Sequence, residues 1–127
     1  MALLREYKEI AYQWGIWKTE ESPEELLALL PDPERYEQQL TLFSSPHRKL
    51  EWLSVRVLLY QLLGEEKTIE YAPSGKPHLA DSSYFISISH TRGYVAVILS
   101  PVSEVGIDIE QYGQRVHKVA HKYMRPD

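Results

Sequence analysis

Pro46-His47-Arg48-Lys49-Leu50-Glu51-Trp52-Leu53-Ser54-Val55-Arg56-Val57-Leu58-Leu59-Tyr60-Gln61-Leu62-Leu63-Gly64 carries the strongest helical pattern in the chain. Leu50, Leu53, Val57 and Leu58 share one side, and Trp52, Val55, Leu59, Leu62 and Leu63 cover much of the rest. A helix apolar this far round belongs in a core. Gly64 suits a left-handed C-terminal cap. The polar residues of such a helix need partners. Arg48 and Arg56, two turns apart, want carboxylates or phosphates. An internal salt bridge to Glu51 or Glu70 serves that need as well as a bound anion does. With Trp52 and Leu59 turned inward, the helix is expected to lie across a small, mostly antiparallel sheet, an α+β fold.

Upstream, Ile10, Tyr12, Trp14 and Ile16 alternate with smaller or polar residues, the period of a half-buried strand over Ile10 to Trp17. Ser22-Pro23-Glu24-Glu25 reads as a capping box with proline at the first helical position. It opens a short helix over Leu26 to Leu30, which Pro31-Asp32-Pro33 stops. Downstream, strands are expected over Thr68 to Tyr71, Tyr84 to His90, Tyr94 to Leu99 and Val105 to Glu110, separated by turn-forming pieces. Arg115 to Met124 reads as the beginning of another helix. The three tryptophans, Trp14, Trp17 and Trp52, are assigned to packing.

The 127 residues suffice for one domain with its own core, and 43% apolar and 25% charged residues exclude a disordered chain. The absence of cysteine rules out disulfides, thiolate metal sites and a cysteine nucleophile. No apolar run reaches membrane-spanning or signal-peptide character, so the cytosol is the expected address. A formal net charge of −4 argues against a nucleic-acid partner. An anionic ligand must instead be held by a local basic cluster or a metal.

Four places carry chemistry. In Val105-Gly106-Ile107-Asp108-Ile109-Glu110, a strand sends Asp108 and Glu110 to one face, about 6.6 Å apart, with Gly106 keeping that face open. Two carboxylates so placed suit one magnesium ion, or form a wet acidic strand face. In Ile86-Ser87-Ile88-Ser89-His90-Thr91, His90 ends the row Tyr84, Ile86, Ile88. It reads as a phosphate-binding imidazole or general base flanked by the hydroxyls of Ser89 and Thr91, or as a strand-end histidine bonded to a carbonyl. In Ser74-Gly75-Lys76-Pro77-His78, a turn fixes one lysine, either for a phosphate or merely at the surface; it is no Walker loop. The fourth place is the basic run His47-Arg48-Lys49 together with Arg56.

The order of these motifs is more specific than any one of them. Arg48…Trp52-Leu53-Ser54-Val55-Arg56…Leu62-Leu63-Gly64, then Gly75-Lys76-Pro77, then Ile86-Ser87-Ile88-Ser89-His90-Thr91, then Val105-Gly106-Ile107-Asp108-Ile109-Glu110 resembles the 4′-phosphopantetheinyl transferase superfamily. The likeness is to its two-halved type, which activates peptide synthetases and fatty-acid carriers. It implies a chain that is one half, the amino-terminal half-domain over residues 1–127, of a pseudo-twofold fold. It further implies magnesium on Asp108 and Glu110, bridging the coenzyme A pyrophosphate. Ser89 and His90 would lie at the nucleotide end, with His90 near the 3′-phosphate. Lys76, Pro77 and Arg48 would meet coenzyme phosphates or frame the adenine. Arg56 matches the second helix arginine of the family, although Val55 stands where glycine is common. The implied partner is an acyl or peptidyl carrier protein, whose serine takes phosphopantetheine while 3′,5′-ADP leaves.

The sequence lacks the W-x-x-K-E-A-like motif that the second half of this type carries. A transfer-deficient half that buries its uncovered face against a second copy is therefore the expectation. Two other classes compete: a non-catalytic domain that binds coenzyme A or a carrier protein, and an unrelated magnesium phosphoesterase built on Asp108 and Glu110. Coenzyme A, magnesium and an apo carrier together separate the three by label transfer, binding alone, or neither.

Overall fold

The computed structural model describes residues 3–8, 12–112 and 115–123. Its strands are β1 (Leu3–Lys8), β2 (Gln13–Lys18), β3 (Ile69–Tyr71), β4 (Pro77–Leu79), β5 (Phe85–Thr91), β6 (Tyr94–Ser100), β7 (Glu104–Tyr112) and β8 (Arg115–Tyr123). Its helices are α1 (Pro23–Ala28), α2 (Glu34–Leu40) and α3 (Pro46–Leu63). A four-stranded sheet in the order β1-β2-β6-β5 and two ribbons, β3-β4 and β7-β8, are all antiparallel. The fold is α+β, as expected.

The central sheet is covered on both faces, and the sequence of β6 shows why. Val95, Val97 and Leu99 face α3, in a core with Trp17, Leu53, Val57, Leu58 and Leu59. Ala96 and Ile98 face the other way and join Trp14, Ile16, Val105, Ile107 and Ile109. A strand buried on both sides needs a continuous apolar run rather than alternation. The same holds for β2, where Trp14, Ile16 and Trp17 are all buried, which corrects the half-buried reading of this strand. Ile10, the first residue of the expected strand, lies outside the described residues.

α3 forms over the expected span and ends on Gly64 at φ +73°, where a side chain would be strained. Leu59 points inward, while Trp52 is only half-buried. Ser54, fully buried, shares a 2.7 Å hydrogen bond with Thr19, so the one small polar group in the helix core is satisfied.

Three elements went beyond the sequence reading. β1 and β4 add edge pairings to short neighbours. α2 starts without a side-chain cap and is instead held by Glu66. That carboxylate accepts from the Asp32 backbone at 2.8 Å and the Tyr36 hydroxyl at 2.7 Å, and pairs with Arg35 at 3.5 Å. Burial, first, and then Glu66 push the Tyr36 phenol well above its ordinary range, so it remains a donor.

The helix expected from Arg115 is a strand. β8 pairs along β7 from Tyr112↔Arg115 to Glu104↔Tyr123. Val116, Val119 and Tyr123 suit a strand, and the open edge of β7 offers a ladder that a helix would leave unmatched. The last expected residue, Met124, lies outside the described residues.

Candidate functional site

A cavity of about 640 Å³ opens between α3, the β3–β4 ribbon and β5. Its apolar wall is Phe43, Trp52, Val55 and Ile88, and its polar groups are Arg48, Glu51, Arg56, Tyr71 and His90. Trp52 is set by its neighbours: Tyr36 meets it edge-on at 5.9 Å and 74°, and Phe43 meets it at 5.9 Å and 53°. The expectation of a packing residue is therefore incomplete, because Trp52 also lines the cavity.

Arg56 lies over that indole, its guanidinium carbon 3.9 Å from the ring centroid, and donates to the Trp52 carbonyl at 3.3 Å. Burial lowers its pKa from the ordinary arginine value, and Tyr71 and Tyr36 partly offset that shift. A guanidinium nonetheless remains charged. The ion pairs of the described residues involve neither Arg48 nor Arg56. The carboxylates named as salt-bridge partners are used elsewhere. Glu70 pairs with His78 at 3.3 Å, and Glu51 pairs with His47 at 3.0 Å and with His90 Nδ1 at 2.7 Å.

The basic run at the start of α3 adds to this charge. Ser45 caps the helix by accepting from the Arg48 N–H at 3.4 Å, yet the first turn holds no acidic residue. His47, Arg48 and Lys49 sit where the helix dipole is already positive.

The remaining sequence candidates are distributed around this cavity. Pro77 and Gly75 line it, and Gly75 at φ +89° closes the turn that a Gly75 N–H to Ala72 carbonyl bond of 2.8 Å fixes. Lys76 faces a second cavity of about 360 Å³ and approaches Glu104 at 3.7 Å, so the turn carries its lysine away from His90. On β7 the alternation is as expected: Val105, Ile107 and Ile109 are buried, while Asp108 and Glu110 are exposed. Neither carboxylate lines either cavity.

The Ile-Ser-Ile-Ser pattern of β5 has a structural use. Ser87 accepts from the Ile107 N–H at 3.3 Å and Ser89 from the Ile109 N–H at 3.2 Å. The two hydroxyls stand in for a missing strand on the free edge of β7. They pin the Asp108 segment to the strand that bears His90. Ser89 is thus occupied as an acceptor, with its hydroxyl proton left to give.

Among the described residues no three His, Cys, Asp or Glu side chains cluster as a metal site. Magnesium, however, takes one or two protein carboxylates and completes its shell with water and phosphate oxygens. An exposed Asp108–Glu110 face fits that share.

No family model matches the chain. Curated relatives do: the 4′-phosphopantetheinyl transferases AcpT of Salmonella typhi and of Escherichia coli strain K12 are each 38% identical over 64 residues. That stretch is 50% of this chain and spans 33% of each relative's length. Over that half of its length the chain is similar to 4′-phosphopantetheinyl transferases.

Sequence reasoning missed Glu51, Phe43 and Tyr71 as parts of the cavity. Glu51 had a signal, four residues after His47 and on the same helix face. Tyr71 and Phe43 had none, since a loop and a two-stranded ribbon bring them in.

Proposed function

We propose that this chain is the coenzyme-binding half of a two-halved phosphopantetheinyl transferase, taking the nucleotide end of coenzyme A between α3 and β5. The observation that carries the reading is the cavity itself. It joins an aromatic wall fit for a purine face to an imidazole and two arginines that have no carboxylate partner among the described residues. Such groups bind phosphates and stack on bases.

In this reading Arg48 and Arg56 pair with phosphates, His90 meets the 3′-phosphate, and Ser89 donates its remaining proton nearby. Lys76 lies one turn away, beside Pro77, and reaches phosphate by leaving Glu104. Asp108 and Glu110 hold magnesium, which when bound neutralises pyrophosphate charge. The carrier serine oxygen bonds to the phosphorus that bears pantetheine, the pyrophosphate P–O bond breaks, the hydroxyl proton is released, and 3′,5′-ADP leaves. Positioning and charge neutralisation do most of the work in such transfers. An acyl or peptidyl carrier protein in the cytosol is the proposed acceptor. In this reading the half-domain pairs with a second half or a second copy.

Calorimetry of the chain with coenzyme A and dephospho-coenzyme A, with and without magnesium, tests this. Asp108→Asn should abolish the magnesium-dependent part of binding. His90→Ala should weaken coenzyme A about 10-fold, the scale of one charged hydrogen bond, with a smaller loss for dephospho-coenzyme A. With apo carrier added, the chain alone should transfer far below the ~1 per second of a competent enzyme, since a loosely held substrate loses most of the orientation term. No coenzyme A binding, or equal losses for both ligands in His90→Ala, overturns the assignment.

A further inference from the structure

Glu51 belongs to no motif of the sequence, yet it joins the two elements that frame the cavity. It projects from α3 with its side chain about a quarter exposed, at 24%. One carboxylate oxygen meets His47 Nε2 at 3.0 Å, one turn back on the same helix. The other meets His90 Nδ1 at 2.7 Å, on β5. The His90 side chain is 62% exposed at the end of its strand, so packing alone does not fix its ring. The carboxylate is the contact that does.

We propose that Glu51 is a positioning residue for His90, fixing the imidazole with its proton on Nδ1 so that Nε2 is presented to a phosphomonoester in the cavity. This rests on the reading that His90 meets a coenzyme phosphate.

The chemistry follows from the two ring nitrogens. A carboxylate against Nδ1 keeps that nitrogen protonated and sets the ring plane. When both ring nitrogens carry protons, Nε2–H is a donor to phosphate oxygen, and the carboxylate on Nδ1 aims it. The other charged or titratable groups around the cavity are His47, Arg48 and Arg56 on α3 and Tyr71 on β3. Both arginines keep their charge throughout the accessible pH range. His47 competes for the same carboxylate, which divides its influence between two rings. Removing His47 should therefore leave the Glu51–His90 contact intact.

The test uses the full chain and 3′,5′-ADP as probe. In ¹⁵N NMR of the ligand-free protein, His90 should show the Nδ1–H tautomer near pH 8, and Glu51→Gln should replace it with a mixture. For 3′,5′-ADP, Glu51→Gln should lose about 10-fold in affinity, the scale of a charge-assisted contact. Glu51→Asp should restore part of the affinity and of the tautomer preference, and His47→Ala should leave the His90 tautomer as in the parent. An unchanged His90 tautomer in Glu51→Gln overturns the positioning role, whatever the ligand data. Tautomer loss without any change in 3′,5′-ADP affinity overturns its link to phosphate. Failure of the parent chain to bind 3′,5′-ADP sinks the functional reading instead, and the phosphate half of this proposal with it.

Discussion

α1 and α3 begin alike and then part. Each has a serine N-cap followed by proline at the first helical position. In α1 the next residues are Glu24 and Glu25, and the capping box closes both ways, Ser22 accepting from the Glu25 N–H at 3.2 Å and Glu25 accepting from the Ser22 N–H at 3.1 Å. In α3 the corresponding residues are His47 and Arg48, then Lys49, and nothing acidic enters the first turn. Anions near a helix N-terminus stabilise it by about 0.3–1 kcal/mol each, and cations oppose it by similar amounts. α1, only six residues long, follows the local rules at its start. α3 breaks the charge rule and tolerates it, because a buried 18-residue helix is stabilised mainly by packing. Local rules broken without structural return mark functional sites. At the α3 start His47 pairs with Glu51, and in the proposed reading Arg48 serves an anion in the adjoining cavity.

The sharpest way to break this comparison is Arg48→Glu. It places an acid where α1 has one, so the melting temperature should hold or rise. Affinity for 3′,5′-ADP should fall about 100-fold or more, because a charged hydrogen bond is lost and a repulsion is added. A variant that melts earlier while binding as before would show Arg48 to be structural. Ser22→Ala comes next. It removes the cap on which the short α1 depends and should cost about 1 kcal/mol of stability in urea unfolding, with 3′,5′-ADP affinity unchanged. Loss of binding there would mean that α1 supports the cavity. The smallest effect is expected from Lys49→Glu, which adds an acid to the first turn of α3 beside, but not lining, the cavity. It should add about 0.3–0.5 kcal/mol of stability and leave affinity within about 3-fold. A loss as large as that of Arg48→Glu would mean that the helix start acts through its summed charge and not through the one arginine.

Much of the fold was legible. α3 announced itself through apolar residues on most of its circumference and a glycine at its end, and the alternation in β7 put Asp108 and Glu110 outward. α2 was hidden because its start has no cap of its own, and Glu66, thirty residues after Tyr36, supplies the missing hydrogen bonds. β8 was misread because valine, histidine and lysine permit either structure, and only the open edge of β7 decides between them.

The site divides in the same way. The sequence by itself determined which residues carry charge and hydrogen-bonding capacity, and, through periods of two and 3.6, which face of its own element each one occupies. Those are properties of a few neighbouring residues. Only the tertiary structure decided that Ser87 and Ser89 cap the edge of β7, that Lys76 turns toward Glu104, and that Glu51 reaches His90. The last of these joins residues 39 positions apart in the chain, 90 minus 51. No local preference can encode such a pairing, because it exists only once the packing of α3 on the sheet has brought the two elements together.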